Sequence, residues 1–164
     1  IRLSLLMEYL DTVKGTVFRQ TQFAEFEYLI HTKAEQGSAL TGDLLSRIYL
    51  DVVRTYYGHD KNICTVDDYL SIEWASVPHF YYNFYVYQYA TSFTASTCLA
   101  ERVIAGETSA VEDVMTFLEA GGSAYPIDIL KKAGVDLTKP DPFDRTMNAM
   151  NKTMDAIEAV LDQR

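Results

Sequence analysis

The run Pro78-His-Phe-Tyr-Tyr-Asn-Phe-Tyr-Val-Tyr-Gln-Tyr89 limits what this chain can fold into more than any other stretch. Its twelve residues hold five tyrosines (81, 82, 85, 87 and 89), two phenylalanines and one of the chain's three histidines. A phenol O–H taken out of water needs a hydrogen-bond partner, so a core does not readily absorb a row of them. At about 3.6 residues per turn the run sorts into two stripes. Tyr81, Tyr85 and Tyr89 recur at i, i+4 and i+8 as phenols able to line a cleft, with His79 at the helix entrance. Phe80, Phe84, Tyr87 and Thr91 make a second stripe that reads as core. The plainer alternative is an aromatic core helix whose hydroxyls reach backbone carbonyls or water.

The remaining sequence repeats the helical period. Leu3, Leu6, Met7, Leu10 and Val13 give one face of a helix over 1–13. Gly15 reads as a break before a second helix over 16–36, which Gly37 closes. In that helix Glu25 and Glu27 read as carboxylates that are solvated or paired with Arg19. Thr41 is placed to cap a helix over 43–57 that Gly58 ends. Residues 59–65 form a polar connection, with His59 a loop residue rather than a ligand. A short turn over 67–75 carries Trp74. Proline fits the first turn of a helix, so the aromatic helix is expected to start near His79 and to run to Gly106. Three more helices are expected over 110–119, with Val111, Val114, Met115 and Leu118 inward, over 126–132, and over 143–161.

No stretch alternates at period two. The fold class is therefore all-α, with about seven helices in a single domain over residues 1–164.

Composition narrows the function. The chain is 48% hydrophobic and 23% charged, as a globular protein is. A net charge of −9 without a Lys/Arg cluster argues against a nucleic-acid or anionic-membrane partner and suits a cytoplasmic protein. No apolar run reaches the ~18 residues of a membrane span. Cys64 and Cys98 lack a C-x-x-C and a secretory signal, and read as two buried thiols. The first residue, Ile1, already lies in a helical pattern, which suggests that residues precede it.

Neither a G-x-S-x-G nor an H-E-x-x-H occurs, and His31, His59 and His79 are far apart, so no metal ligand is assigned. Gly121-Gly-Ser123 lacks the Lys-Ser/Thr of a phosphate loop. The phenol row remains. Tyrosine hydroxyls in a cleft donate to an oxygen that becomes negative in a transition state, and their rings receive peptide side chains.

Several blocks occur together in one order. They are Phe18-Arg-Gln-Thr-Gln-Phe-Ala-Glu-Phe-Glu27, His31 with Glu35-Gln-Gly37 and Leu40-Thr41, and Tyr56-Tyr-Gly58. Trp74-Ala-Ser-Val-Pro-His-Phe-Tyr81, Phe84-Tyr-Val-Tyr-Gln-Tyr-Ala-Thr91, Gly121-Gly-Ser-Ala-Tyr-Pro126 and Ala133-Gly-Val-Asp136 follow. This ordered set resembles the C-terminal part of oligoendopeptidase F, in the thimet-oligopeptidase-like superfamily of zinc metallopeptidases. The resemblance implies part of a larger, clamshell-shaped helical enzyme that cleaves short peptides in a channel. It also implies that the zinc ligands lie on an H-E-x-x-H helix upstream of Ile1, so this segment alone is expected to be inactive.

What the resemblance carries onto this chain is a histidine and tyrosines across the cleft from the metal. Tyr85 is the expected oxyanion donor, His79 the holder of a substrate carbonyl, and Tyr81 and Tyr89 the residues that orient the peptide or support Tyr85; Tyr82 is treated as freer. The expected partners are a short peptide and the upstream part of the same protein, and exposed apolar surface invites a dimer of the isolated segment. The alternative function is a non-catalytic helical peptide-binding or scaffold module with an aromatic groove.

Overall fold

Apolar residues at helical spacing build seven α-helices among residues 1–162, the part that the computed structural model describes. They are α1 (Arg2–Val13), α2 (Arg19–Glu35), α3 (Gly42–Tyr57), α4 (Tyr87–Ile104), α5 (Ala110–Ala120), α6 (Pro126–Lys132) and α7 (Asp141–Leu161). Among the described residues there is no strand, so the all-α expectation holds. Helix ends follow local chemistry. The Thr41 hydroxyl accepts the Leu44 N–H at 3.2 Å as the cap of α3, and Gly58 closes that helix at φ +65°. A β-carbon on Gly58 would sit 2.9 Å from the Ile63 side chain, so both backbone and space demand glycine.

Gly15 does not break the chain. Residues Lys14–Phe18 form a π-helical segment that leads from α1 into α2. One glycine costs a helix only about 1 kcal/mol, too little to end it without a proline or a cap.

The chain divides into two compact units. One comprises Ile1–Val17 with the chain from Thr91 onward, and the other Phe18–Ala90. In the first, α1 packs on α7 and α5 on α6. Its core joins Ala95, Cys98 and Leu99 of α4 to Leu130, Ala133 and Val135, with Val114 and Phe117 against them. The inward stripe of α5 is thus Ala110, Val114 and Phe117, while Val111, Met115 and Leu118 face outward. Two apolar stripes one residue apart compete on that helix, and packing chose the neighbouring one. The Arg102 guanidinium ties the unit together, donating to Glu107 at 2.8 Å, Asp113 at 2.6 Å and the Ala133 carbonyl at 2.6 Å. It holds the Asp113 carboxyl below the usual carboxylate range.

The second unit carries the aromatic run. Phe23 and Phe26 of α2 meet Tyr49 and Val53 of α3, with Val66 and Val86 completing the buried set. Phe26 sits at the centre, edge-on to Tyr49 at 5.1 Å and to Phe80 at 5.2 Å. The 3-10 segment Asp68–Ser76 lies against α3, where the Trp74 indole N–H donates to Ser46 at 3.1 Å. Glu73 in that segment accepts from Arg19 and, at 2.5 Å, from the Tyr49 hydroxyl. Burial first, and then the Glu73 hydrogen bond, push the Tyr49 phenol far above its ordinary value. Arg19 therefore pairs with Glu73, and neither Glu25 nor Glu27 is its partner. Cys98 is buried but Cys64 is exposed, correcting the expectation of two buried thiols. Cys64 falls on the connection after the 3-10 turn His59–Lys61, where it has no core to enter.

Phe26→Ala removes the ring at the middle of that core and should destabilise the protein by about 3–5 kcal/mol. Urea denaturation monitored by Trp74 fluorescence measures the change as a lowered midpoint.

Candidate functional site

The aromatic run is not one helix. Pro78–Tyr82 is a 3-10 turn, Asn83 and Phe84 have φ of +47° and +57°, and α4 begins only at Tyr87. Proline supports the first turn but supplies no N–H, and the short 3-10 piece ends at once. Asn83 is of a residue type that tolerates the left-handed region; Phe84 is not, and a bulky residue there carries roughly 1–3 kcal/mol of strain. The expected row Tyr81, Tyr85, Tyr89 on one helical face is therefore not formed.

What the break builds instead is a cluster around His79. Its imidazole lies parallel to the Tyr85 ring at 5.7 Å. Tyr82 and Tyr89 meet the same imidazole edge-on at 6.2 and 6.0 Å. Tyr85 also meets Tyr82 at 5.9 Å and Tyr89 at 5.3 Å, each nearly perpendicular. Such edge-to-face pairs are a favoured aromatic geometry, and together they fix the rings mutually. Tyr89 donates its hydroxyl proton to the Tyr85 oxygen at 3.1 Å. That bond, followed by partial desolvation, raises the Tyr89 phenol above its usual value. Tyr82 and Tyr85 remain exposed, at 61% and 36%.

Of the residues singled out from the sequence, His79, Tyr85 and Tyr89 come together and Tyr81 stands apart. Tyr81 is 83% exposed and shares none of the ring contacts of the cluster. Tyr82, treated as freer, is in the cluster. Phe80 packs in the core as its stripe implied, whereas Phe84 and Tyr87 are partly exposed. The signal for this rearrangement was Asn83 itself, since asparagine inside an aromatic run marks a left-handed residue.

A second residue was missed. Glu27 is 1% exposed and accepts the Phe84 backbone N–H at 2.7 Å. Four residues on, the His31 ring lies 4.4 Å from the Phe84 ring. Glu27 falls on the same face of α2 as Phe23, Phe26 and Ile30, and a charged residue on an apolar stripe was the clue. Glu25 behaves differently, taking the Tyr56 hydroxyl at 2.9 Å on the exposed side. Burial and then that carboxylate push the Tyr56 phenol up.

Among the described residues no three His, Cys, Asp or Glu side chains are grouped to hold a metal ion. The imidazoles are engaged otherwise: His59 accepts the Val66 N–H at 2.9 Å through Nδ1, His31 faces Phe84, and His79 centres the tyrosine cluster. Among the described residues no helix is long and apolar enough to cross a membrane.

Comparison with known proteins decides the family. Residues 2–149 match Peptidase family M3. The chain belongs to that family. It is 46% identical over 160 residues to oligopeptidase PepF of Bacillus subtilis, covering 98% of this chain and 23% of the relative. It is 40% identical over 162 residues to the chromosomal oligoendopeptidase F of Lactococcus lactis subsp. cremoris, covering 99% of this chain and 26% of the relative. The crystal structure of oligoendopeptidase-F from Enterococcus faecium superposes with a TM-score of 0.93 at 42% identity, over 99% of this chain and 31% of that one. The chain thus spans about a quarter of the length of the curated peptidase family M3 relatives it matches.

Tyr85→Phe deletes the acceptor oxygen of the Tyr89 hydrogen bond. The Tyr89 phenol should then titrate at lower pH, back toward the ordinary tyrosine value near 10. NMR titration of ring-labelled tyrosine follows that shift directly.

Proposed function

We propose that this chain is the C-terminal portion of a zinc-dependent oligoendopeptidase that hydrolyses short peptides, and that it supplies the groups that bind substrate and stabilise the oxyanion. Membership of peptidase family M3 supports the reaction class. The observation that carries the residue roles is the 3.1 Å hydrogen bond from Tyr89 to the Tyr85 oxygen beside the His79 ring. Because Tyr89 donates into Tyr85, the Tyr85 proton is left to point outward, and the incoming bond polarises it. A phenol so placed donates to a peptide carbonyl oxygen as it becomes negative, an interaction stronger in the transition state than in the ground state. His79, with one ring face against Tyr85, binds a backbone carbonyl of the substrate. Tyr89 supports Tyr85, and Tyr81 offers an exposed ring to a passing side chain.

Among the described residues no three His, Cys, Asp or Glu side chains are grouped to hold the metal, and on this reading the zinc ligands lie in an upstream part of the same protein. The segment alone is inactive on this reading, and the intact enzyme works in the cytoplasm. The isolated segment is expected to associate, with a dimer as the simplest form.

The test is to co-express the segment with an upstream half that carries an H-E-x-x-H and to follow hydrolysis of a short quenched-fluorescent peptide. Tyr85→Phe should lower kcat by about 10²–10³ with little change in KM, as loss of one oxyanion donor does. His79→Ala should act mainly on KM. Full activity in the Tyr85→Phe protein would remove Tyr85 from the chemistry.

A further inference from the structure

We infer that Glu27 is a positioning residue for the His79–Tyr82–Tyr85–Tyr89 cluster, acting through the backbone N–H of Phe84. The inference rests on the reading of that cluster as a peptide-binding and oxyanion site. Phe84 lies between the 3-10 turn that carries His79 and Tyr82 and the helix that carries Tyr89, with Tyr85 beside it. Its φ of +57°, after +47° at Asn83, is a conformation that a phenylalanine leaves unless its surroundings hold it. Two grips hold it, both from one face of α2. The Glu27 carboxylate takes the N–H at 2.7 Å, and the His31 ring lies against the Phe84 ring at 4.4 Å.

The first grip specifies direction. The Phe84 N–H belongs neither to the Pro78–Tyr82 turn nor to α4, and a backbone donor away from water must find an acceptor. Glu27 is the acceptor it finds, from a residue 57 positions earlier. A hydrogen bond to a carboxylate is short and directional, so it fixes where the chain reverses and hence how Tyr82 and Tyr85 are aimed at His79. The other carboxylate oxygen, Oε2, is buried with no hydrogen-bond partner among the described residues. A side chain kept only for stability would not leave one oxygen so placed, because an apolar residue of like volume would avoid its desolvation. The carboxylate is retained where one acceptor must reach one N–H.

The experiment compares Glu27→Gln, Glu27→Asp and Glu27→Met in the full-length peptidase that carries this chain, with Tyr85→Phe alongside. Gln keeps an acceptor oxygen at the same reach, Asp keeps the charge but withdraws the oxygen by a methylene, and Met keeps the volume without the acceptor. Two readouts are taken: kcat and KM on a short peptide, and hydrogen–deuterium exchange of the peptide segment containing Phe84. Asp and Met should lower kcat by roughly 10- to 100-fold with KM changed far less, since small misplacement of a transition-state donor acts on kcat. Exchange at Phe84 should rise at least about tenfold in those two variants while the core of α2 and α3 keeps its protection. Gln should stay within about threefold of wild type in both readouts.

If Met does not fold, Asp alone decides. Wild-type kcat in Glu27→Asp beside a damaged Tyr85→Phe overturns this inference and leaves the site reading intact. So does a loss in Gln equal to that in Met, or a lowered melting temperature with kcat unchanged in the cold. A silent Tyr85→Phe instead overturns the site reading on which the inference stands.

Discussion

One oxygen of a carboxylate inside a small helical unit takes, at 2.7 Å, a backbone N–H that has no place in any helix, and the geometry of the aromatic run depends on that bond. Apart, the carboxylate would be a buried polar group without a partner, at a cost of about 1–3 kcal/mol or more. Joined, they pin α2 to the one place where the aromatic run reverses. The turn before it delivers His79 and Tyr82, and the residues after it deliver Tyr85 and Tyr89. The His31 ring, one helical turn beyond Glu27, lies against the Phe84 ring at 4.4 Å.

That bond sits on a scaffold of the same construction. Glu73 gathers Arg19 from α2 and Tyr49 from α3, and Trp74 beside it donates to Ser46. The Arg19 guanidinium also covers the Phe23 ring at 4.7 Å. Around Phe26 the rings of Tyr49, Trp74 and Phe80 are held at steep or tilted angles, so Phe80 anchors the 3-10 turn to the core. A polar network and an aromatic core thus converge on the turn Pro78–Tyr82. The rigidity of that turn is what lets an exposed tyrosine cluster keep a defined geometry, since exposed phenols on a loose loop would sample many rotamers.

Peptidase family M3 membership gives the cluster its chemical context. With about a quarter of a relative's length, the chain offers donors and ring faces and no grouped metal ligands among its described residues. On the function proposed above, a division of labour follows in which another part of the protein activates the peptide bond and this part receives the substrate and the charge that develops on it. Tyrosine suits the second role because it is a neutral donor at physiological pH. The hydrogen bond from Tyr89 strengthens the donation of Tyr85 without adding a charge.

How much of this the sequence contained can be read residue by residue. The helical period placed α3, α5, α6 and α7 to within a few residues, because caps such as Thr41 and Gly58 and the starting proline Pro126 act through the local backbone alone. The concentration of phenols around one histidine marked the candidate site, since so many hydroxyls resist burial wherever the chain goes. What the period could not supply was the break inside the run. Tyr81 and Tyr82 exchange places because Asn83 and Phe84 enter the left-handed region, and a phenylalanine does so only when a partner distant in sequence holds it there. Glu27 is that partner, 57 residues earlier in the chain, and it is buried only in the folded unit. The sequence therefore gathered the phenols and one histidine into a single stretch, while the tertiary structure decided which of them face one another, because a strained turn is stabilised only by contacts that exist after folding.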